Sequence, residues 1–336
     1  MYDSMAGSVA MDKRTILVSQ DLAIGKGFGK YAPETEREVR KPKIVKDERI
    51  ERLEKAYHEL DSLISMPEYE YALNIHAFYD RFLAFLIEKN LPTASTDIES
   101  FAIYLEALQA EKYFFEKTGL FISFLMAQSQ DHAFTLHIAH LVRPIRFIGF
   151  QNSKQITING CAGESVGAYM TGGSISINGN AGSDLGWYLK NGTITVSGDV
   201  LNNAATGMED GSVIIEGHAL DRAGQAIRNG VLIIKGNAGE HAGLGMKGGK
   251  IHIGGDAAYA CGGKMDGGSI TVEGNTGKYL GHKMEAGRIH VKGNVGALLG
   301  EEMRGGEIYV DGKIDGFGRW ILHGKIYQNE KLILDK

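Results

Sequence analysis

Cysteine is scarce in this chain, two residues in 336, so no disulfide framework carries the fold and both thiols are expected to be reduced. Positive charge is not in excess. The 36 Lys and Arg stand against 41 Asp and Glu, a formal net charge of −5, which gives no general attraction to nucleic acid or to an anionic membrane surface. No uninterrupted apolar run is long enough to span a bilayer, and no basic-then-apolar leader ends in small residues, so the expected location is the cytoplasm. A phosphate-cradling loop is missing as well. The stretch Gly25-Lys26-Gly27-Phe28-Gly29-Lys30-Tyr31 is rich in glycine but lacks the Walker and Rossmann spacings, and Pro33 and the charged run 34–40 follow it rather than a helix. Glycine, at 46 residues, is what the chain has in abundance.

The glycines are periodic. Gly160, Gly179, Gly198, Gly217, Gly236, Gly255, Gly274, Gly293 and Gly312 follow one another at intervals of 19 (179 − 160 = 19, and so to 312 − 293 = 19), with no insertion in any repeat. A strict period of this length is the signature of a solenoid. The stretch 268–284, GSITVEGNTGKYLGHKM, shows the grammar of one repeat. Ile156/Ile158, Ile175/Ile177, Ile194/Val196 and their counterparts down to Ile308/Val310 lie two apart, so both members of each pair leave the same face of a short strand, the inward one. The Gly-Asn or Gly-Asp that follows (Gly179-Asn180, Gly198-Asp199, Gly274-Asn275) suits a corner with positive φ.

Two more inward rows follow in register. One is Val166, Leu185, Ala204, Ala223, Ala242, Cys261, Leu280 and Leu299; the other is Met170, Leu189, Met208, Ile227, Met246, Met265, Met284 and Met303. Nineteen residues are too few for a strand, helix and parallel strand, which take about 30. Each repeat is therefore read as one coil of strands and corners, and the stack as a parallel β-helix of about nine coils over 154–314. In that register Cys161 and Cys261 are about 25 Å apart and cannot bridge.

The rest of the chain divides around this core. Residues 1–46 read as a mobile arm, 47–130 as an α-helical bundle or cap, and 131–336 as the all-β main domain. Helical spacing begins with Ile50, Leu53, Tyr57, Leu60 and Ile64. A second helix opens at Pro67 and carries Tyr71, Ile75, Phe78, Phe82 and Phe85. A third is capped at Thr96-Asp97, carries Phe101, Leu105, Leu108 and Phe115 and stops at Gly119, and a short apolar segment runs from Leu120 to Met126. Phe78, Phe82, Phe101, Phe114, Phe115, Phe121 and Phe124 make the bundle core. The alternating Phe134, Leu136 and Ile138, and then Ile145 and Phe147, together with the bundle cover the first coil, because an open solenoid end exposes unpaired backbone. At the far end 326–334 closes the stack.

The outward positions carry little chemistry. Thr157, Ser176, Thr195, Ile214, Ile233, His252, Thr271, His290 and Tyr309 form the outward strand column, which has no carboxylate for acid–base work or calcium. His252 and His290 are two coils apart, about 9.6 Å, too far to share one metal. A second outward column, Lys190, Glu209, Arg228, Lys247, Asp266, Glu285 and Arg304, alternates in sign at most steps and reads first as a structural ladder and second as a docking face. Asp184, Asp221, Arg222, Glu240, His241, His282 and Glu301 lie in loops with no diagnostic spacing. No catalytic, cofactor-binding or metal-binding residues are assigned.

The repeated G-G-x-I-x-V-x-G-N-x-G-x-x-x-G-x-x-M resembles the GXGXG-motif family, shared by the C-terminal domain of the glutamate synthase large subunit and by one of the subunits of formylmethanofuran dehydrogenase. It covers roughly 180 residues, and the compact coil ending in Met is more similar to the latter. The resemblance implies a right-handed β-helix without a cofactor of its own, serving as a structural or scaffold subunit. It also implies that the partners are catalytic subunits of an oxidoreductase complex and that the chain has no activity alone. Two alternatives remain beside it: a stand-alone β-helix enzyme acting on a glycan, and a self-associating structural module, for which a homo-oligomer stays open.

Overall fold

The computed structural model describes residues 46–64 and 75–336; the glycine loop and arm of 1–45, and Pro67 and Tyr71 of the expected second helix, lie outside them. The protein is mostly β, a parallel β-solenoid of about ten turns with a small N-terminal helical region. The described residues fall into two compact units, one of 46–64, 75–200 and 209–216, the other of 201–208 and 217–336.

The first unit contains the helices α1 (Glu48–Glu59), α2 (Ile75–Leu86), α3 (Ser95–Leu108) and α4 (Phe114–Gln128), and strands β1 (Ala133–His137) to β5 (Ser212–Ile215). Asp47 caps α1 by accepting hydrogen bonds from Arg49 N and Ile50 N, each at 3.0 Å, and Ile50, Leu53 and Tyr57 are buried as their spacing requires. The cap of α3 comes from elsewhere than its own first residues. Ser95 N donates to Asp131 Oδ2 at 2.7 Å, while Asp97 turns inward and meets Arg49 at 3.0 Å.

Gly119 does not end a helix. It sits inside α4, where an added Cβ would lie 1.7 Å from the carbonyl oxygen of Arg146, so glycine is needed for helix and chain to touch. Four residues on, Ser123 Oγ donates to Phe147 O at 3.0 Å and accepts from Gly149 N at 2.9 Å. Ile145 and Phe147 are thus buried in irregular chain beneath α4 rather than in a strand. Phe115 is only half-buried: its ring meets that of buried Phe114 edge-on, centres 6.2 Å apart, and lies under Arg143, 5.1 Å from the ring centre. Glu99 on α3 accepts from Thr135 N of β1 at 3.0 Å, which satisfies a donor on the first strand's open edge. Through these contacts the helices and first coils pack within one compact unit.

β1 pairs with β2 (Gln155–Asn159) in parallel, Phe134 beside Ile156 and Leu136 beside Ile158, which adds a turn ahead of the nine regular repeats. Further strands to β5 continue the same register, Ile156 beside Ile175 and Ile175 beside Ile194. In the second unit β6 (Val231–Ile234) to β11 (His323–Gln328) are parallel neighbours, and β12 (Lys331–Asp335) turns back antiparallel on β11. The strand pairs, the Val166 row and the Met170 row are all buried to 2% exposure or less. A further inward row appears: Ala162, Ala181, Val200, Ala219, Ala238, Ala257, Thr276 and Val295, linked by single parallel bridges within each unit.

The glycine column behaves differently from the expectation of positive φ. Of the nine, only Gly160 has a left-handed φ (128°). The column is glycine because successive corners stack too closely for a side chain. A Cβ on Gly236 would sit 2.6 Å from Gly217 O, and on Gly274 2.7 Å from Gly255 O and 2.3 Å from Asp256 Oδ1. The next position binds coil to coil. Asn180 Oδ1 accepts from Asp199 N at 2.8 Å; in the second unit His218 Nδ1, Asn237, Asp256, Asn275 and Asn294 each accept from a backbone N–H 19 residues on, at 2.6–2.9 Å. Left-handed φ falls later in each coil, at alternate residues such as His241 (61°), Gly243 (70°) and Gly245 (63°).

Candidate functional site

The charged column keeps one backbone position through each unit. Lys190 N donates to Met170 O and Glu209 N to Leu189 O in the first; Arg228 N to Met208 O, Lys247 N to Ile227 O, Asp266 N to Met246 O, Glu285 N to Met265 O and Arg304 N to Met284 O in the second, all at 2.8–2.9 Å. These bonds fix the Cα positions from coil to coil while the side chains reach outward; Glu209 is half-buried and the other six are exposed. The structure brings Glu285 and Arg304 together at 3.7 Å. Arg304 then borders an open recess of about 340 Å³ lined by Glu302, Arg304, Trp320 and Leu322. Trp320 is 65% and Leu322 54% exposed, so the charged column runs into an apolar shelf at its C-terminal end.

Sequence reasoning gave the outward strand face one column, and the pleat gives it three. Residues two before and two after the central column also face outward, and they bring carboxylates to the last coils. His290 Nε2 meets Asp311 at 3.0 Å, Lys292 meets Glu273 at 2.6 Å and Arg288 meets Glu307 at 2.8 Å. Tyr309 donates to Glu307 at 3.0 Å and stacks on Tyr327 of β11, ring centres 4.5 Å apart and 2° from parallel. The hydrogen bond from Arg288 chiefly, then that from Tyr309, holds the Glu307 carboxyl below its usual range; Lys292 does the same to Glu273. Every carboxylate named here has a basic or hydroxyl partner, which makes the face a ladder of matched pairs. The signal was available in the 19-residue columns of Glu273, Lys292 and Asp311 and of Arg288 and Glu307.

The loop residues are placed by backbone demand. Asp184, Arg222 and His241 hold left-handed φ of 60–61°, and Asp221 Oδ1 accepts from Glu240 N at 2.9 Å. His241, Tyr259, Tyr279 and His282 form a chain of ring contacts 5.1–5.6 Å between centres, and His282 lies 3.7 Å from Glu302, at the edge of the recess. Among the described residues, no group of three or more His, Cys, Asp or Glu side chains is arranged to hold a metal ion. Cys261 is fully buried in the Val166 row, and that burial pushes its thiol up to about 12, far from a nucleophile's range. Among the described residues, no helix is long and apolar enough to cross a membrane.

No curated protein matches this chain. Residues 174–330, from β3 (Ser174–Asn178) through the β11 hairpin turn, match the family model described as the GXGXG motif. That span holds the corner glycines from Gly179 to Gly312 and all seven members of the charged column, and leaves the helices and first coils outside. The match fits a domain of the glutamate synthase kind, one of the two that share the motif. The repeat region of this chain belongs to the GXGXG-motif family.

Proposed function

We propose that this chain is a non-catalytic structural subunit that docks catalytic protein subunits of an oxidoreductase-type complex in the cytoplasm, with no cofactor of its own. One observation carries the reading. In the second unit the charged column, on backbone locked coil to coil, leads from Arg228 to Arg304 and ends beside an exposed tryptophan. Preorganised charge next to an aromatic anchor is what protein interfaces use: charges steer and set register, while a buried Trp or Arg supplies most of the affinity. The strand face is a set of matched polar pairs, whereas the charged column ends beside exposed apolar side chains, Trp320 and Leu322, that a partner would cover. Membership of the GXGXG-motif family supports the same reading, since the resemblance implies a scaffold serving larger enzymes.

The test is native affinity purification of the tagged chain with identification of what co-purifies. Flavin, iron–sulfur or molybdenum/tungsten proteins are expected, and turnover by the isolated chain overturns the proposal. Reversing Lys247 and Arg304 to Glu, or replacing Trp320 by Ala, should weaken complex formation and leave the melting temperature nearly unchanged. Binding should also weaken with salt, because exposed charges are screened over about 8–10 Å.

A further inference from the structure

The second unit's core is open at its C-terminal end. Its inward row of Ala219, Ala238, Ala257, Thr276 and Val295 is buried to 5% exposure or less, yet the next member, Ile314, is only half-buried. The row that ends in Leu299 opens further. Leu299 is fully buried and is joined by a parallel bridge to Phe317, which is 44% exposed. The backbone is as open as the side chains. In a parallel bridge one residue turns its own N–H and C=O toward the neighbouring chain, and the opposite residue's own pair points to the far side. Val295 uses both groups on the last coil, donating to Lys313 O at 2.8 Å and accepting from Asp315 N at 3.0 Å; Leu299 donates to Gly316 O at 3.0 Å and accepts from Gly318 N at 2.7 Å. The N–H and C=O of Ile314 and of Phe317 therefore face the open end, and among the described residues no backbone group meets them. β12 pairs with β11, on the strand side of the coil.

Two N–H and two C=O groups flanked by apolar side chains are satisfied together by extended backbone, and not by a helix, whose own groups are bonded internally. We infer that the docked partner lays an extended segment along Ile314–Phe317 as one added coil, with apolar side chains over these two residues. Covering the core there also removes the association hazard of an open solenoid end. The occupant is the partner because the same coil carries Trp320 and Leu322, which line the recess where the charged column ends. Segment and column are then parts of one interface. The inference rests on the docking reading and adds the partner's chemistry: a loop or tail with free backbone groups and two apolar residues three or four apart, the spacings of Ile314 to Phe317 and of Val295 to Leu299.

The experiment is hydrogen exchange, read by mass spectrometry over 313–319, in the tagged full-length chain alone and in the complex it captures. In the chain alone the amides of Ile314 and Phe317 should exchange as unprotected groups, and in the complex about a hundredfold more slowly or beyond. Two variants test the same edge. Ile314→Pro removes an N–H that no described backbone group accepts, and Phe317→Asp puts charge on the apolar end; each should cut the captured partner about tenfold or more. Melting curves of the two isolated variants should stay close to that of the unaltered chain, because both side chains lie at the open end. Should proline disturb the corner, Phe317→Asp and the exchange rates still decide. Normal capture by both variants, or unchanged exchange over 313–319 in the complex, overturns the inference. So does slow exchange at these amides in the chain alone: protection that grows with concentration means that a second copy fills the edge, and protection that does not means that the chain's own residues do. Loss of capture on reversing Lys247 and Arg304, with none at Ile314 and Phe317, leaves the docking proposal standing and removes this one; no captured protein at all removes both.

Discussion

Gly274→Ala should destabilise the solenoid severely although its backbone conformation suits any residue. Gly274 lacks a left-handed φ, so alanine pays no torsional cost. The cost arises because a Cβ there would be 2.7 Å from Gly255 O and 2.3 Å from Asp256 Oδ1. Gly255 O cannot retreat freely, since it accepts Gly274 N at 3.0 Å, and Asp256 Oδ1 accepts Asn275 N at 2.6 Å. Relieving the clash means parting the two coils at this corner. Two strained or lost hydrogen bonds at about 1 kcal/mol each, with about 1–3 kcal/mol for overpacking, give a loss of roughly 3–5 kcal/mol. The control is Gly245, with φ of 63° and nothing within 4 Å of an added Cβ. Gly245→Ala should cost about 1–2 kcal/mol, from handedness alone, and Gly245→Asn less, since Asn tolerates that region. Gly274→Asn should be no better than Gly274→Ala. Urea midpoints followed by circular dichroism read the order directly and remain usable if the repeats unfold in stages. A Gly274→Ala midpoint equal to that of the unaltered protein, or above that of Gly245→Ala, would refute the close-stacking account.

Three further outcomes are expected. Lys117 is fully buried in α4 and reaches Tyr57 O at 3.0 Å and Asp61 at 2.6 Å, so Lys117→Met should cost about 1–3 kcal/mol in thermal or urea unfolding, from the stranded acceptors. His218 occupies the asparagine ladder as an acceptor through Nδ1, so His218→Asn should keep stability within about 0.5 kcal/mol while His218→Ala loses about 1 kcal/mol; equal melting curves for the two would show that the ladder bond does not matter. The Cys261 thiol, raised to about 12 by burial, should resist alkylation in the native state. Because the folded value lies above the unfolded one, its contribution to stability is complete below about pH 8.5 and is lost as pH rises toward 12, an effect that Cys261→Ala should reduce in an alkaline unfolding series.

The coil was legible because period two within a strand and period nineteen between strands admit one register. A one-residue error would have turned Ile270 and Val272 outward. The roles of the glycines were not legible in the same way, since a left-handed turn and a close backbone approach select the same residue; Gly236 and Gly119 were assigned to the first cause and belong to the second. The alanine row from Ala162 to Ala257 escaped notice because small residues give weak hydrophobic contrast. The matched pairs of the strand face needed three columns to be laid side by side, whereas spacing along one column shows only His252 and His290. The recess at Trp320 lies where the repeat decays, beyond the reach of any periodic argument.

The side-chain ladder through Asn237, Asp256, Asn275 and Asn294 bears on how such a chain can evolve. Each acceptor reaches an N–H 19 residues on, so one residue inserted or deleted within the regular coils would misalign that bond, the buried isoleucines and the corner glycines together. Length can change there only by gain or loss of entire coils in frame. At the ends the constraint relaxes: β1 and β2 are offset by 22 residues (Ala133 to Gln155) and β10 (Arg304–Val310) and β11 by 18 (Ile308 to Ile326). Lineages carrying this domain should therefore differ by multiples of one repeat in the middle and by arbitrary lengths at its two boundaries.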